Sequence, residues 1–130
     1  MRAGIRPFGD LEAAIMRAVW EQGEPVSIRV IVDRLNEERE VAYTTVITVA
    51  ERLREKGLLT RTRQGRVFLY EACLSADDYS AELMRRVLDS AGSRSATLLR
   101  FAGQLSTTEA ESLRAALAES QRNVNAPEPE

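Results

Sequence analysis

Apolar residues recur at helical spacing up to Gly57, switch there to two short β-prone runs, and return to helical spacing from residue 75 onward. A chain with that order has few ways of burying its apolar faces. The first helix is predicted from near Asp10, with Leu11, Ile15, Met16, Val19 and Trp20 on one stripe; Gly23 and then Pro25 end it. Ser27 offers an N-cap to a second helix carrying Ile28, Ile31 and Leu35, which fades into the polar run 36–40. A third helix is predicted from Ala42 to Lys56, stopped by Gly57, with Ala42, Val46, Val49, Ala50 and Leu53 as its core stripe. The β-branched run 44–49 would by itself also suit a strand. The apolar spacing continues unbroken into residues 51–56, however, and that favours helix.

Leu58 to Thr62 and Val67 to Tyr70 then read as strands, joined through residues 63–66 with Gly65 for the turn. Beyond residue 74 the pattern is helical throughout. Ser75 to Asp78 resembles a capping box and opens a helix with Tyr79, Leu83, Met84, Val87, Leu88 and Ala91, which ends at Gly92. A short helix spans about Ser95 to Ala102, with Leu98, Leu99 and Phe101. Ser106 to Glu109 caps another, with Ala110, Leu113 and Leu117. Three helices followed by a hairpin is the order of a winged helix-turn-helix. The expected class is therefore mostly α: a winged helix-turn-helix over residues 7–73, a C-terminal helical segment over 74–122, and a disordered tail over 123–130.

Composition narrows the function. The chain of 130 residues is 44% hydrophobic and 29% charged, as for an ordinary globular protein. It contains no histidine and one cysteine, Cys73. The commonest general base is thus absent, and no ligand set for zinc or iron can be assembled. The glycines stand singly, so there is no phosphate-binding loop. No enzyme activity, metal or cofactor is expected, and Cys73 reads as core filler. No run of eighteen apolar residues is present, so no direct membrane insertion is expected. Residues 1–5 lack the apolar stretch of a signal peptide, which makes the cytoplasm the expected compartment.

The net charge of −2 hides an asymmetry. Residues 41–74 carry six basic side chains against three acidic ones, an excess of +3, whereas residues 75–130 carry six against nine, an excess of −3. The basic excess lies where a helix-turn-helix meets the major groove. On the third helix, Thr44, Thr48 and Arg52 lie opposite the core stripe, with Thr45 on the flank. Hydroxyls there can exchange hydrogen bonds with base edges, and the threonine methyls can pack on thymine. Arg61, Arg63 and Arg66 make the hairpin a cationic arm suited to phosphates or the minor groove. The candidate DNA-binding residues are therefore Thr44, Thr45, Thr48, Arg52, Arg61, Arg63 and Arg66, with double-stranded operator DNA as the partner. Fold alone leaves a protein-docking role for the same face as the alternative.

The run AYTTV at 42–46 with Thr48, RLREKGLL at 52–59, Gly65-Arg66 and Tyr70, together with Leu11-Glu12, Ile15-Met16 and Trp20, resemble the penicillinase-repressor family. These are winged-helix repressors of β-lactamase and methicillin-resistance operons, and the likeness extends over about residues 8–120. It implies a homodimer that blocks transcription from a dyad-symmetric operator, in an antibiotic-resistance or related setting. The composition of the C-terminal segment agrees, since three short helices bury too little surface alone. Leu83, Val87, Leu98, Leu99, Phe101, Leu113 and Leu117 are the expected dimerisation residues. The resemblance also implies induction through a membrane sensor-protease pathway that cuts an Asn-Phe bond in the dimerisation segment. Arg100-Phe101 stands at that place, matching the phenylalanine but not the asparagine. Copper-responsive relatives carry paired C-terminal cysteines, which this chain lacks.

Overall fold

In a computed structural model that describes residues 8–125, the elements follow in the order α1 (Asp10–Gln22), α2 (Ile28–Asn36), α3 (Tyr43–Glu55), β1 (Leu59–Gln64), β2 (Val67–Ala72), α4 (Ala76–Ser90), α5 (Arg94–Ala102) and α6 (Thr107–Asn125). The chain divides into two compact units, Met1–Val87 and Leu88–Glu130. The expected domain start at residue 7, and residues 126–130 of the expected tail, lie outside the described residues.

In the first unit, α1, α2 and α3 enclose the core. Ile15, Met16, Ile31, Val46, Leu53 and Leu59 are its largest fully buried side chains. Each helix begins and ends where local chemistry requires. Glu12 accepts the Gly9 amide at 3.1 Å and so caps α1. Ser27 Oγ accepts the Val30 amide at 3.3 Å and caps α2. Asn36 closes the turn into α3 by accepting the Val41 amide at 2.9 Å. Gly57, at φ 81°, leaves α3 in the left-handed region that a side chain would oppose. The Leu58 amide there closes back on the Leu53 carbonyl at 2.9 Å.

The hairpin is longer and its turn tighter than the composition suggests. Leu59 pairs with Ala72, Arg61 with Tyr70, Arg63 with Phe68, and Gln64 with Val67. The loop is therefore Gly65-Arg66 alone, with Gly65 at φ 63°. Val26, between α1 and α2, adds a bridge to β2 by exchanging two backbone hydrogen bonds with Tyr70. The base of the wing is thereby fixed to the helical core.

The structure departs from expectation at four points. Ala42 is an exposed, extended N-cap rather than a core residue, so its side chain leaves the stripe that Val46, Ala50 and Leu53 continue. The break between units falls after Val87, not after residue 73. The reason lies in α4: its Tyr79 is buried and stacks on Phe8, with ring centroids 4.2 Å apart and planes 4° from parallel. Trp20 flanks Tyr79 and donates its ring N–H to the Leu74 carbonyl at 2.9 Å, tying α4's approach to α1. Leu83 follows Tyr79 by one turn and packs on the same core, so it is spent within its own unit. Finally, α6 continues through Asn125, so residues 123–125 of the expected disordered tail are helical.

The second unit is built differently. None of its described residues is fully buried. Leu98, Leu99 and Phe101 on α5 are exposed, as are Leu113, Leu117 and Val124 on α6, with Leu99 at 75% and Leu117 at 55%. Ser93 caps α5 through the Ala96 amide, and Ser106 and Glu109 form a reciprocal capping box at α6. These helices are well started but poorly buried.

A candidate nucleic-acid interface on α3 and the wing

Burial of Val46, Ala50 and Leu53 turns the opposite face of α3 outward. Thr44, Thr48 and Arg52 lie one turn apart along that face, with Thr45 beside them, and all four are exposed. The Thr48 hydroxyl donates to the Thr44 carbonyl at 2.9 Å. Its proton is thus committed to the helix, which leaves the hydroxyl oxygen as an acceptor. Thr44 and Thr45 hydroxyls make no hydrogen bond with other described residues.

The arginines divide into two groups that their spacing does not distinguish. Arg61 Nη1 contacts Glu51 Oε1 at 2.6 Å, and its guanidinium lies 4.2 Å from the Phe68 ring centroid. Arg54 grips the same carboxylate with two bonds of 3.1 Å each, through Nε and Nη2. Lys56 pairs with Glu12 at 2.7 Å. Arg52 and Arg66 form no ion pair with described residues, and Arg63 donates only to the Gly65 carbonyl, at 2.9 Å. Of the six basic residues in 41–74, Arg52, Arg63 and Arg66 are the three with no carboxylate partner among the described residues, and all are exposed. Arg61, expected as a DNA ligand, instead shares the Glu51 carboxylate with Arg54.

Glu51 is a residue of this face that the sequence pattern did not single out. It lies on α3 facing the wing and takes four hydrogen bonds: Arg54 gives two, Arg61 one, and the Tyr70 hydroxyl one at 3.0 Å. The Arg54 hydrogen bonds above all hold the Glu51 carboxyl below the usual value; burial opposes them, and Tyr70 and Arg61 add to the lowering. Burial pushes the Tyr70 hydroxyl up. The Glu51–Arg54 spacing of three residues was a visible signal, but the part played by Arg61 and Tyr70 depends on their pairing across the hairpin. A groove of about 510 Å³ runs between α3 and the wing, with Tyr43, Ile47 and Glu51 on one side and Arg66, Phe68 and Tyr70 on the other. Arg29 of α2 stands over the Tyr43 ring at its edge, 4.8 Å from the centroid.

Among the described residues no group of three or more histidine, cysteine, aspartate or glutamate side chains is placed to hold a metal ion. No helix of those residues is long and apolar enough to cross a membrane. Cys73 is half-buried beside the wing's base.

Residues 8–119 match the sequence family described as penicillinase repressor. The chain belongs to that family. Its members are transcriptional repressors rather than enzymes. The transcriptional regulator BlaI of Mycobacterium tuberculosis is 38% identical over 120 residues, covering 90% of this chain and 87% of that protein. The solution structure of the DNA-binding domain of the repressor BlaI is 26% identical, with a TM-score of 0.52, covering 61% of this chain and 94% of that one. The chain thus carries the winged-helix fold of a penicillinase repressor. BpsR of Bordetella bronchiseptica shares the fold at 18% identity and a TM-score of 0.50, covering 95% of this chain and 86% of that one.

The lowered Glu51 carboxyl has a definite sign in folding. A carboxyl titrating lower when folded adds stability above its ordinary value of 4.5, and this contribution is lost as pH falls through the folded value. In thermal unfolding, the gap between wild type and Glu51→Gln should be largest near neutral pH and close as pH falls below the ordinary carboxylate range. A gap that stays constant over that range would show that the Glu51 charge adds nothing to the fold.

Proposed function

We propose that this protein is a homodimeric repressor that binds a dyad-symmetric operator and blocks transcription of β-lactam-resistance-type or related genes in the cytoplasm. The observation that carries the reading is the exposed threonine face of α3 with Arg52, together with exposed Arg63 and Arg66 on the wing, three arginines that have no carboxylate partner among the described residues. Thr44, Thr45 and Thr48 are assigned to base edges, where short side chains let the helix approach closely. Arg63 and Arg66 are assigned to phosphates or the minor groove beside the recognition helix, and Arg52 to the backbone at the groove's edge.

The dimer is assigned to α5 and α6. Their exposed leucines form stripes that water would otherwise cover, and a second copy of the same stripes is a self-complementary apolar surface. Leu98, Leu99, Phe101, Leu113 and Leu117 are the contact residues of this assignment, with Val87 at its margin. Leu83, which packs on its own core, is left out. Residues 88–125 serve as the dimerisation region, and residues 8–87 as the DNA-binding one.

Induction through a membrane sensor and proteolysis remains a separate reading, resting on family resemblance alone. Arg100 and Phe101 lie in the last turn of α5, so a protease would have to open that turn to cut between them.

Two measurements address these assignments. In gel retardation at low salt, the protein should shift a random-sequence duplex at micromolar concentration. Arg66→Ala and Arg63→Ala should each flatten the logarithmic salt dependence by about one unit. A chain that shifts no duplex would favour the protein-docking alternative. Separately, Leu99→Glu places a charge on a residue that is 75% exposed in a single chain, so it should leave the fold intact and shift sedimentation to the monomer. A Leu99→Glu protein that stays dimeric would move the interface elsewhere.

A further inference from the structure

We infer that Glu51 and Arg61 form a latch that sets the wing against the recognition helix, so that Arg61 acts as a positioning residue rather than a phosphate ligand. This inference rests on the DNA-binding reading above and deepens it.

The hairpin's geometry carries the argument. Strand residues alternate between faces, and directly paired residues share one. Leu59 with Ala72, Arg61 with Tyr70 and Arg63 with Phe68 therefore line one face of the wing. That face passes from core to solvent in three steps. Leu59 and Tyr70 are buried, Arg61 is half-buried, and Arg63 and Phe68 are exposed. Arg61 sits at the crossing point. Towards the core it meets Glu51 at 2.6 Å, and towards the tip its guanidinium covers Phe68. The side chain joins α3 to the outer half of the hairpin, beyond the reach of the Val26 bridge at Tyr70.

Glu51 is built to hold such a latch. Arg54, on the same helix, grips both carboxylate oxygens and so orients the acid. Tyr70 anchors β2 to Oε2, while Arg61 anchors β1 to Oε1. One acid from the recognition helix thus binds both strands of the wing. The exposed cations Arg63 and Arg66 lie outward of this point on the hairpin. Their distance from the α3 threonines depends on the angle that the latch fixes. A free two-stranded ribbon would have to be ordered on binding, at a cost that lowers affinity.

Electrostatics alone and the latch predict opposite signs for one substitution. Glu51→Gln removes a negative charge beside a polyanion, which by charge alone should tighten DNA binding. If the latch acts as inferred, Glu51→Gln instead weakens binding to a random-sequence duplex by about three- to tenfold. Amide hydrogen exchange of residues 61–68 in the free protein should also quicken. Arg61→Met, which keeps an apolar stem on Phe68, should give the same loss with an unchanged salt slope, in contrast to the one-unit drop expected of Arg66→Ala. The double variant should be hardly weaker than either single one, since both break the same link.

Equal or tighter binding by Glu51→Gln would overturn the inference. So would a one-unit fall in salt slope for Arg61→Met with unchanged wing exchange, which would make Arg61 a plain phosphate ligand. Glu51→Gln keeps the side chain's size and carries the test should Arg61→Met fail to fold. If the wild-type chain binds no duplex, the DNA-binding reading fails. Wing exchange in the free variants then still decides whether the latch exists, and unchanged exchange would refute it.

Discussion

The fully buried Val46, Ala50 and Leu53 hold one face of α3 in the core, and what the chain offers outward follows from that. A helix with one face held cannot turn, so Thr44, Thr45, Thr48 and Arg52 have nowhere to point except to solvent. The ends of α3 are held as firmly as its middle. Asn36 closes the turn before it, Lys56 reaches across to Glu12 at the start of α1, and Gly57 redirects the chain into the wing. The rigidity matters because a helix that reads base edges must arrive in one orientation.

Charge is arranged with the same economy. Near the recognition helix, Arg54 and Arg61 share Glu51 and Lys56 pairs with Glu12, and these contacts connect helices and strands to one another. Arg52, Arg63 and Arg66 are not answered among the described residues, and these are the cations at the outer surface. A net charge of −2 is therefore compatible with a cationic DNA-facing side. The two units differ in self-sufficiency as well. Residues up to Val87 enclose a core of their own, whereas the described part of α5 and α6 leaves its leucines uncovered, as a surface awaiting its second copy would.

Much of this was legible in the sequence, because period alone separates helix from strand. The three-helix and hairpin order, the threonine stripe and the glycine stops could be read residue by residue. Helical spacing does not show where a helix starts, so Ala42 reads as core although an N-cap's side chain falls off the stripe. The spacing of Leu83 on α4 matches that of any apolar stripe, so the sequence does not separate a contact with its own core from one with a partner. The Tyr79 contacts with Phe8 and Trp20 show which turn of α4 lies against the core. The Glu51 latch was hidden for a related reason. Arg61 and Arg63 look alike in sequence, and only the register that pairs Arg61 with Tyr70 brings one of them to the acid.

Selection of bound duplexes from a random DNA pool tests the central claim most directly, because it asks at once whether the chain reads sequence and whether it does so as a symmetric pair. The expected result is enrichment of an inverted repeat whose half-sites lie about 10 base pairs apart, or a multiple of that spacing, one for each recognition helix of a dimer. Recovery of no common sequence, or of a single half-site without its dyad mate, would contradict a homodimeric operator-binding repressor.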